Sequence, residues 1–171
     1  MTLKPDAEAI WSHPEVVAWT EHLLRSYRRW VGRDLMAPQK DAIAQSQALF
    51  LAPFVVVSHG TQASPIFNYG NQTALDLWEV PWEDFVQMPS NQSVEPDRRA
   101  ERQQMLEACQ KQGFFENYRG IRVTRTGRRF GIERVLIWNV VDEGGDRLGQ
   151  AATFANWTFL PEREALSEEL S

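Results

Sequence analysis

Pro65-Ile66-Phe67-Asn68-Tyr69-Gly70-Asn71-Gln72-Thr73-Ala74-Leu75-Asp76-Leu77-Trp78 changes its hydrophobic period halfway along, and that change decides the fold. Phe67 and Tyr69 alternate as residues sharing one face of a strand do, whereas Ala74, Leu77 and Trp78 fall on one face of a helix with a period near 3.6. The switch sits at Gly70-Asn71. Glycine tolerates positive φ, and an asparagine side chain can close a local turn or cap a helix with its oxygen, so both residues suit the junction. An aromatic strand running straight into a short apolar helix builds a pocket wall. The stretch therefore points to a sensor or binding fold, with any chemistry supplied by a bound small molecule.

Upstream, Pro53-Phe54-Val55-Val56-Val57-Ser58-His59-Gly60 is a β-branched run ending at a glycine, which reads as a first strand buried on nearly both faces. Before it, Val16, Trp19, Leu23, Tyr27 and Trp30 recur at three- and four-residue steps, predicting an amphipathic helix over 14–31 with Pro14 at its start and Gly32 at its stop. A shorter helix is expected over 38–50, with Ile43, Leu49 and Phe50 as its apolar contacts. Downstream, Pro81-Trp82-Glu83-Asp84-Phe85 suits a small helix, and 95–113, with Met105, Leu106 and Cys109 at helical spacing, a connector helix closed by Gly113. Three alternating runs follow, 114–125, 128–142 and 147–160, joined at Thr126-Gly127 and at Glu143-Gly144-Gly145-Asp146. Glycine turns between alternating runs make an antiparallel meander.

Helices, two strands, small helices, a connector helix and three long strands give the element order of a PAS domain. The predicted class is α+β: a five-stranded antiparallel sheet with short helices on one face and an N-terminal amphipathic helical extension. Residues 1–51 form that extension, 52–160 the PAS-like domain and 161–171 an acidic tail. Over roughly 14–160 the chain resembles the MEKHLA family, a PAS-related group that includes stand-alone bacterial proteins and the C-termini of plant class III homeodomain-leucine zipper regulators. The likeness rests on the 53–60 strand, on Phe67 to Leu75, on Gly120-Ile121-Arg122 with Gly127-Arg128-Arg129, on Ile132-Glu133-Arg134 with Trp138, and on Asn156-Trp157-Thr158-Phe159. The hexapeptide that names the family is absent in that spelling, and no homeodomain or zipper segment is present, so the resemblance implies a fold and a sensing or interaction role rather than DNA reading.

Composition narrows the function classes. A chain of 171 residues can bury roughly 70% of its unfolded surface in one core. One cysteine rules out an internal disulfide and any multi-cysteine cluster, and histidines at 13, 22 and 59 lack metal-ligand spacing, so no metal site is expected. With no apolar signal core and no span-length apolar run, the expected place is the cytoplasm, away from membranes. The formal charge of −5 argues against wrapping nucleic acid. The arginines 119, 122, 125, 128, 129 and 134 read instead as the solvated face of a hairpin. Cys109 lacks the asparagine-cysteine-arginine context of flavin-cysteinyl photochemistry, and no histidine after His59 could hold haem, so the cofactor is left unassigned.

The candidate pocket comprises Val56, His59, Phe67, Tyr69, Asn71, Leu77, Trp78, Ile121, Glu133, Trp138, Thr153 and Trp157. His59 could orient a ligand or titrate near neutrality, or simply end its strand on a backbone hydrogen bond. Asn71 is explained by capping, with ligand contact as its other role. Alternation places Glu133 and Arg134 on opposite faces of the second meander strand, where Glu133 meets either a pocket donor or an arginine of the first meander strand. Both faces of that strand are apolar, leaving open which one lines the pocket. The other needs a cover, either the helix carrying Trp19, Leu23, Tyr27 and Trp30 or the same helix from a second copy, which favours a homodimer. The expected function is a non-catalytic sensor that binds a small organic ligand and signals to an unidentified protein partner. The alternatives are an interaction module whose core is filled by its own aromatics, and a small enzyme using His59 or Glu133 as base.

Overall fold

The computed structural model describes residues 9–90 and 99–161. After a 3₁₀ turn at Ile10–Ser12, helix α1 spans Pro14–Val31, opened by Pro14 and closed by Gly32 in the left-handed conformation at φ 87°. Helix α2 (Ala42–Phe50) begins later than its apolar pattern suggests, because the Asp41 side chain accepts a hydrogen bond from the Ala44 amide and fixes the start there. Strands β1 (Val55–His59) and β2 (Phe67–Gly70) lead into α3 (Gln72–Trp78) and α4 (Trp82–Phe85). Helix α5 (Arg99–Gln112) precedes β3 (Phe114–Val123), β4 (Arg129–Val141), β5 (Arg147–Phe154) and β6 (Asn156–Phe159). The part of the connector helix expected at 95–98, and the acidic tail from 162 onward, lie outside the described residues.

The sheet is antiparallel in the order β2-β1-β5-β4-β3. The third run of the meander is interrupted at Ala155, beyond which β6 pairs with the start of β4, so one expected strand becomes β5 and β6. Opposite the interruption, Arg134 takes φ 54°. That local break cancels the two-residue alternation, so Glu133 and Arg134 are both exposed instead of pointing to opposite faces. A second irregularity lies between Ser58 and His59. There Ser58 pairs with Tyr69 and His59 with Phe67, so Asn68 is the extra residue and the two aromatics occupy opposite faces rather than a shared one.

Helix α1 covers one face of the sheet within the same chain. Leu23 and Tyr27 are buried, and Tyr27 stands edge-on to Trp138 at 5.0 Å between ring centroids. Directed bonds add to the apolar contact along that helix face. Trp19 Nε1 donates to Ser58 Oγ at 2.9 Å, and Trp138 Nε1 donates to the Leu23 carbonyl at 3.1 Å. Ser26 Oγ donates to the Val141 carbonyl and accepts from the Val141 amide, and Trp30 Nε1 donates to the Asn139 carbonyl at 2.8 Å. The helix residues so engaged are 19, 23, 26 and 30, a four-three-four spacing that keeps them on one side.

The other face carries the short helices. Phe67 stacks on Phe85 at 4.3 Å, and Trp78 stands edge-on to Phe67, Phe85 and Phe130. Gly70 has a reason different from backbone freedom: a Cβ there would stand 2.6 Å from the Phe85 ring, so only glycine lets α4 approach β2. The β3–β4 turn folds back on α3 and α4, where the Arg125 amide donates to the Trp78 carbonyl. Arg125 pairs with Asp84 and Arg128 with Glu79, while Arg128 also lies over Phe159 at 3.8 Å. Part of the basic stretch is thus committed to fastening a hairpin.

Candidate functional site

Between the sheet and α3–α5 lies a cavity with about 80 Å³ of free volume, partly open on one side. Strand register fixes which side chains reach it. Val57, His59, Gln150, Ala152 and Phe154 share a face across β1 and β5, and Ile137 pairs with Ala152 on β4. Beyond the break at Arg134 the parity reverses, so Ile132 joins Val135 and Ile137 in the lining. Tyr118 and Arg122 come from β3, Arg102 and Met105 from α5, and Trp78 from α3. The wall is mostly apolar and carries a few polar groups, as small-molecule sites do.

Of the twelve residues expected in the pocket, His59, Phe67 and Trp78 line it. Val56, Tyr69, Trp138 and Thr153 belong to the opposite parity and turn toward the helical cover; Tyr69, for example, packs edge-on against Phe50 of α2. Ile121 stands beside the lining residue Arg122 and so faces the other way, and Leu77 is buried next to Trp78 without reaching the cavity. Trp157 packs edge-on to Phe154 outside the lining. Glu133 is exposed and pairs in register with Asn156, not with an arginine of β3. Asn71 is fully buried and committed to the backbone. Its Oδ1 accepts from the Val56 and Ala74 amides, and its Nδ2 donates to the Leu49 and Phe54 carbonyls.

Among the described residues two buried side-chain polar atoms lack a hydrogen-bond partner of good geometry, the Tyr69 hydroxyl under the cover, where Thr20 is its neighbour, and the indole nitrogen of Trp78, a residue that lines the cavity. Burial pushes the Tyr69 hydroxyl far above its usual pKa, so it stays protonated. An unpaired N–H in an otherwise satisfied core is a donor waiting for an acceptor. Gln150, on the cavity wall, donates through Nε2 to Asn139 Oδ1 at 3.3 Å. Asn139 in turn donates to the Cys109 carbonyl of α5, and its own carbonyl receives Trp30.

His59 Nδ1 donates to the Gly60 carbonyl at 2.8 Å. Burial lowers its pKa, and Arg147 and Arg102 lower it further, against the pull of the Gly60 carbonyl and the Gln150 side chain. The native state therefore prefers neutral His59, whereas the unfolded chain takes up a proton near pH 6.5. Stability from this group is complete above that value and is lost as pH falls through it toward the lowered native pKa. His59→Gln should unfold with a shallower loss of thermal midpoint between neutrality and about pH 5 than the parent; identical slopes would place the effect elsewhere.

Cofactor chemistry of the flavin-cysteinyl kind does not fit these residues. Cys109 is buried on α5 outside the cavity lining, and burial pushes its thiol up to about 11. A cavity of about 80 Å³ is also small beside the roughly 150 Å³ that admits one benzene ring, let alone three fused rings. Among the described residues no group of three or more His, Cys, Asp or Glu could hold a metal ion, and no helix is long and apolar enough to cross a membrane.

The sequence profile of the MEKHLA domain matches residues 17–159. Similar curated proteins include the homeobox-leucine zipper protein ATHB-9 of Arabidopsis thaliana, 24% identical over 94% of this chain and 20% of its own length. Another is the homeobox-leucine zipper protein HOX29 of Oryza sativa subsp. indica, 27% identical over 86% of this chain and 18% of its own length. The chain thus spans about a fifth of these relatives. Among solved structures, the PAS domain of a protein from Colwellia psychrerythraea superposes with a TM-score of 0.55 at 15% identity, covering 68% of this chain and 93% of that one. A light-oxygen-voltage domain from a flavin-analogue study gives 0.51 at 14% identity, covering 73% and 90%. The fold is therefore PAS-like, as the element order implies.

Proposed function

The chain belongs to the MEKHLA domain family, and from that premise we propose that it is a non-catalytic sensory module whose cavity binds a small organic molecule and reports occupancy through α1. The observation that carries this is the unpaired, buried N–H of Trp78, a residue that lines a mostly apolar cavity bearing a few polar groups. An acceptor atom on a ligand would satisfy it. The path Gln150–Asn139–Trp30 offers a physical link outward, since any ligand that recruits the Gln150 amide competes with its bond to Asn139. Signalling then requires only that the ligand bind one docking of α1 better than another. The output falls to a protein partner or a second copy. Leu23 and Tyr27 are already buried in the chain's own core, so pairing through α1 means exchanging that helix rather than adding a new surface.

Catalysis has little support, because His59 has no Asp or Glu beside it in the described lining and Glu133 stands in solvent. A second reading has one observation in its favour. With about 80 Å³ free, the cavity is nearly filled by its own aromatics, which suits a pure interaction module. Native mass spectrometry of the freshly purified protein separates the two. The sensor predicts a fixed mass increment over the chain, released on denaturation, whereas a bare protein that also gains no mass from a metabolite extract would turn the search to protein partners.

A further inference from the structure

Two guanidinium groups from different elements, Arg102 on α5 and Arg122 on β3, line the cavity, and among the described residues no aspartate or glutamate does. Elsewhere on this protein arginines have found carboxylates: Arg28 pairs with Asp34, Arg125 with Asp84 and Arg128 with Glu79. Arg122 instead donates to the Ile121 carbonyl at 3.1 Å and lies 5.8 Å from the Tyr118 ring centre, which leaves most of its five N–H donors unused. Arg102 forms no ion pair among the described residues, and its charge is felt at His59. Holding two half-buried cations beside apolar wall is unfavourable without an anion to meet them.

We propose that the cavity is built for a small organic monoanion, a carboxylate with a compact apolar body. This rests on the cavity being a ligand site at all. The carboxylate is held at the Arg102 and Arg122 end, where forked donors match its two oxygens. The body packs among Phe67, Trp78, Ile132 and Phe154. Free volume sets the size: about 80 Å³, near half of the roughly 150 Å³ cavity that admits a benzene ring, limits the buried body to roughly three or four carbons. Inorganic phosphate would satisfy the arginines but leave the apolar wall unused, and a neutral amide of the same shape would fill the wall but leave the arginines unmet.

Isothermal titration calorimetry with isovalerate, isovaleramide and inorganic phosphate separates these contributions. The expected result is that isovalerate binds, that the amide and phosphate each bind at least about tenfold more weakly, and that Arg102→Gln or Arg122→Gln weakens isovalerate by about tenfold or more. Arg102→Lys and Arg122→Lys keep the charge and the stem packing, so they should lie between parent and glutamine variants, and they stand in for any glutamine variant that fails to fold. Amide binding as tight as acid, phosphate binding as tight as isovalerate, or arginine variants that bind isovalerate unchanged would each overturn the anion assignment while leaving a ligand cavity in place. The cavity itself fails as a site if neither acid nor amide shifts the Trp78 indole N–H resonance, identified by its loss in Trp78→Phe.

Discussion

Asn71→Leu is expected to cost about 4 kcal/mol of folding stability, which in a domain of this size lowers the thermal midpoint by about 8–16 °C. The substitution preserves volume and removes four hydrogen bonds at once. Two backbone amides, Val56 and Ala74, and two carbonyls, Leu49 and Phe54, lose their partner at a site with no solvent exposure. Each orphaned group carries a desolvation penalty of about 1–3 kcal/mol, partly relieved by local relaxation. Asn71→Asp discriminates between the two halves of the side chain. It keeps an acceptor for the α3 cap but sets a carboxylate against two carbonyls, so a loss as large as that of leucine is expected. Denaturant unfolding measures both, and a loss below about 1 kcal/mol for Asn71→Leu would mean that Asn71 does not tie α2, β1 and α3 together.

Trp138→Ala is expected to destabilise by about 3–5 kcal/mol and to do so unevenly, freeing α1 before the sheet. Trp138 is fully buried, sits edge-on to Tyr27 and donates to the Leu23 carbonyl, so truncation opens a void directly beneath the helix and deletes one of its moorings. Trp138→Phe retains most of the volume and should cost about 1–2 kcal/mol, isolating the N–H bond with some lost packing. Hydrogen exchange supplies the second readout. Amides of α1 should lose protection in Trp138→Ala more than those of β1 and β5, and uniform loss across the chain would instead show that cover and sheet open as one unit.

What was legible in the sequence followed from local chemistry. Pro14 and Gly32 bracket α1 because proline and glycine act through their own backbones, and Asn71 declares its cap by position. Gly113 closes α5 at φ 90° for the same reason. The β3-β4-β5 part of the strand order likewise follows from the glycine turns of the meander, whereas the pairing of β1 with β5 is non-local. The site was less legible because membership in a pocket depends on parity, and parity was reset twice by non-local events. The extra residue opposite Ser58–His59 separates Phe67 from Tyr69, and Arg134 at φ 54° moves Glu133 from the core to solvent. Neither break has a glycine to announce it. Both faces of β4 are apolar, so alternation showed two buried sides without telling cavity from cover. Arg122 is inconspicuous for a related reason: among six closely spaced arginines it resembles its solvated neighbours, although it stands opposite Phe130 in the register and so shares the inward face.

The directed bonds made at Trp19, Leu23, Ser26 and Trp30 have a bearing on how α1 can move. Apolar contact alone tolerates gradual sliding, because hydrophobic attraction has no direction. Bonds between fixed groups do not: a shift of one helical turn, about 5.4 Å, would bring every donor and acceptor on that helix face to the wrong address simultaneously. The helix therefore has one seat and no graded positions along the sheet. If α1 reports occupancy as proposed, its message would be all-or-none, seated or released, with the strength of a stimulus encoded in the fraction of molecules released rather than in how far each helix travels.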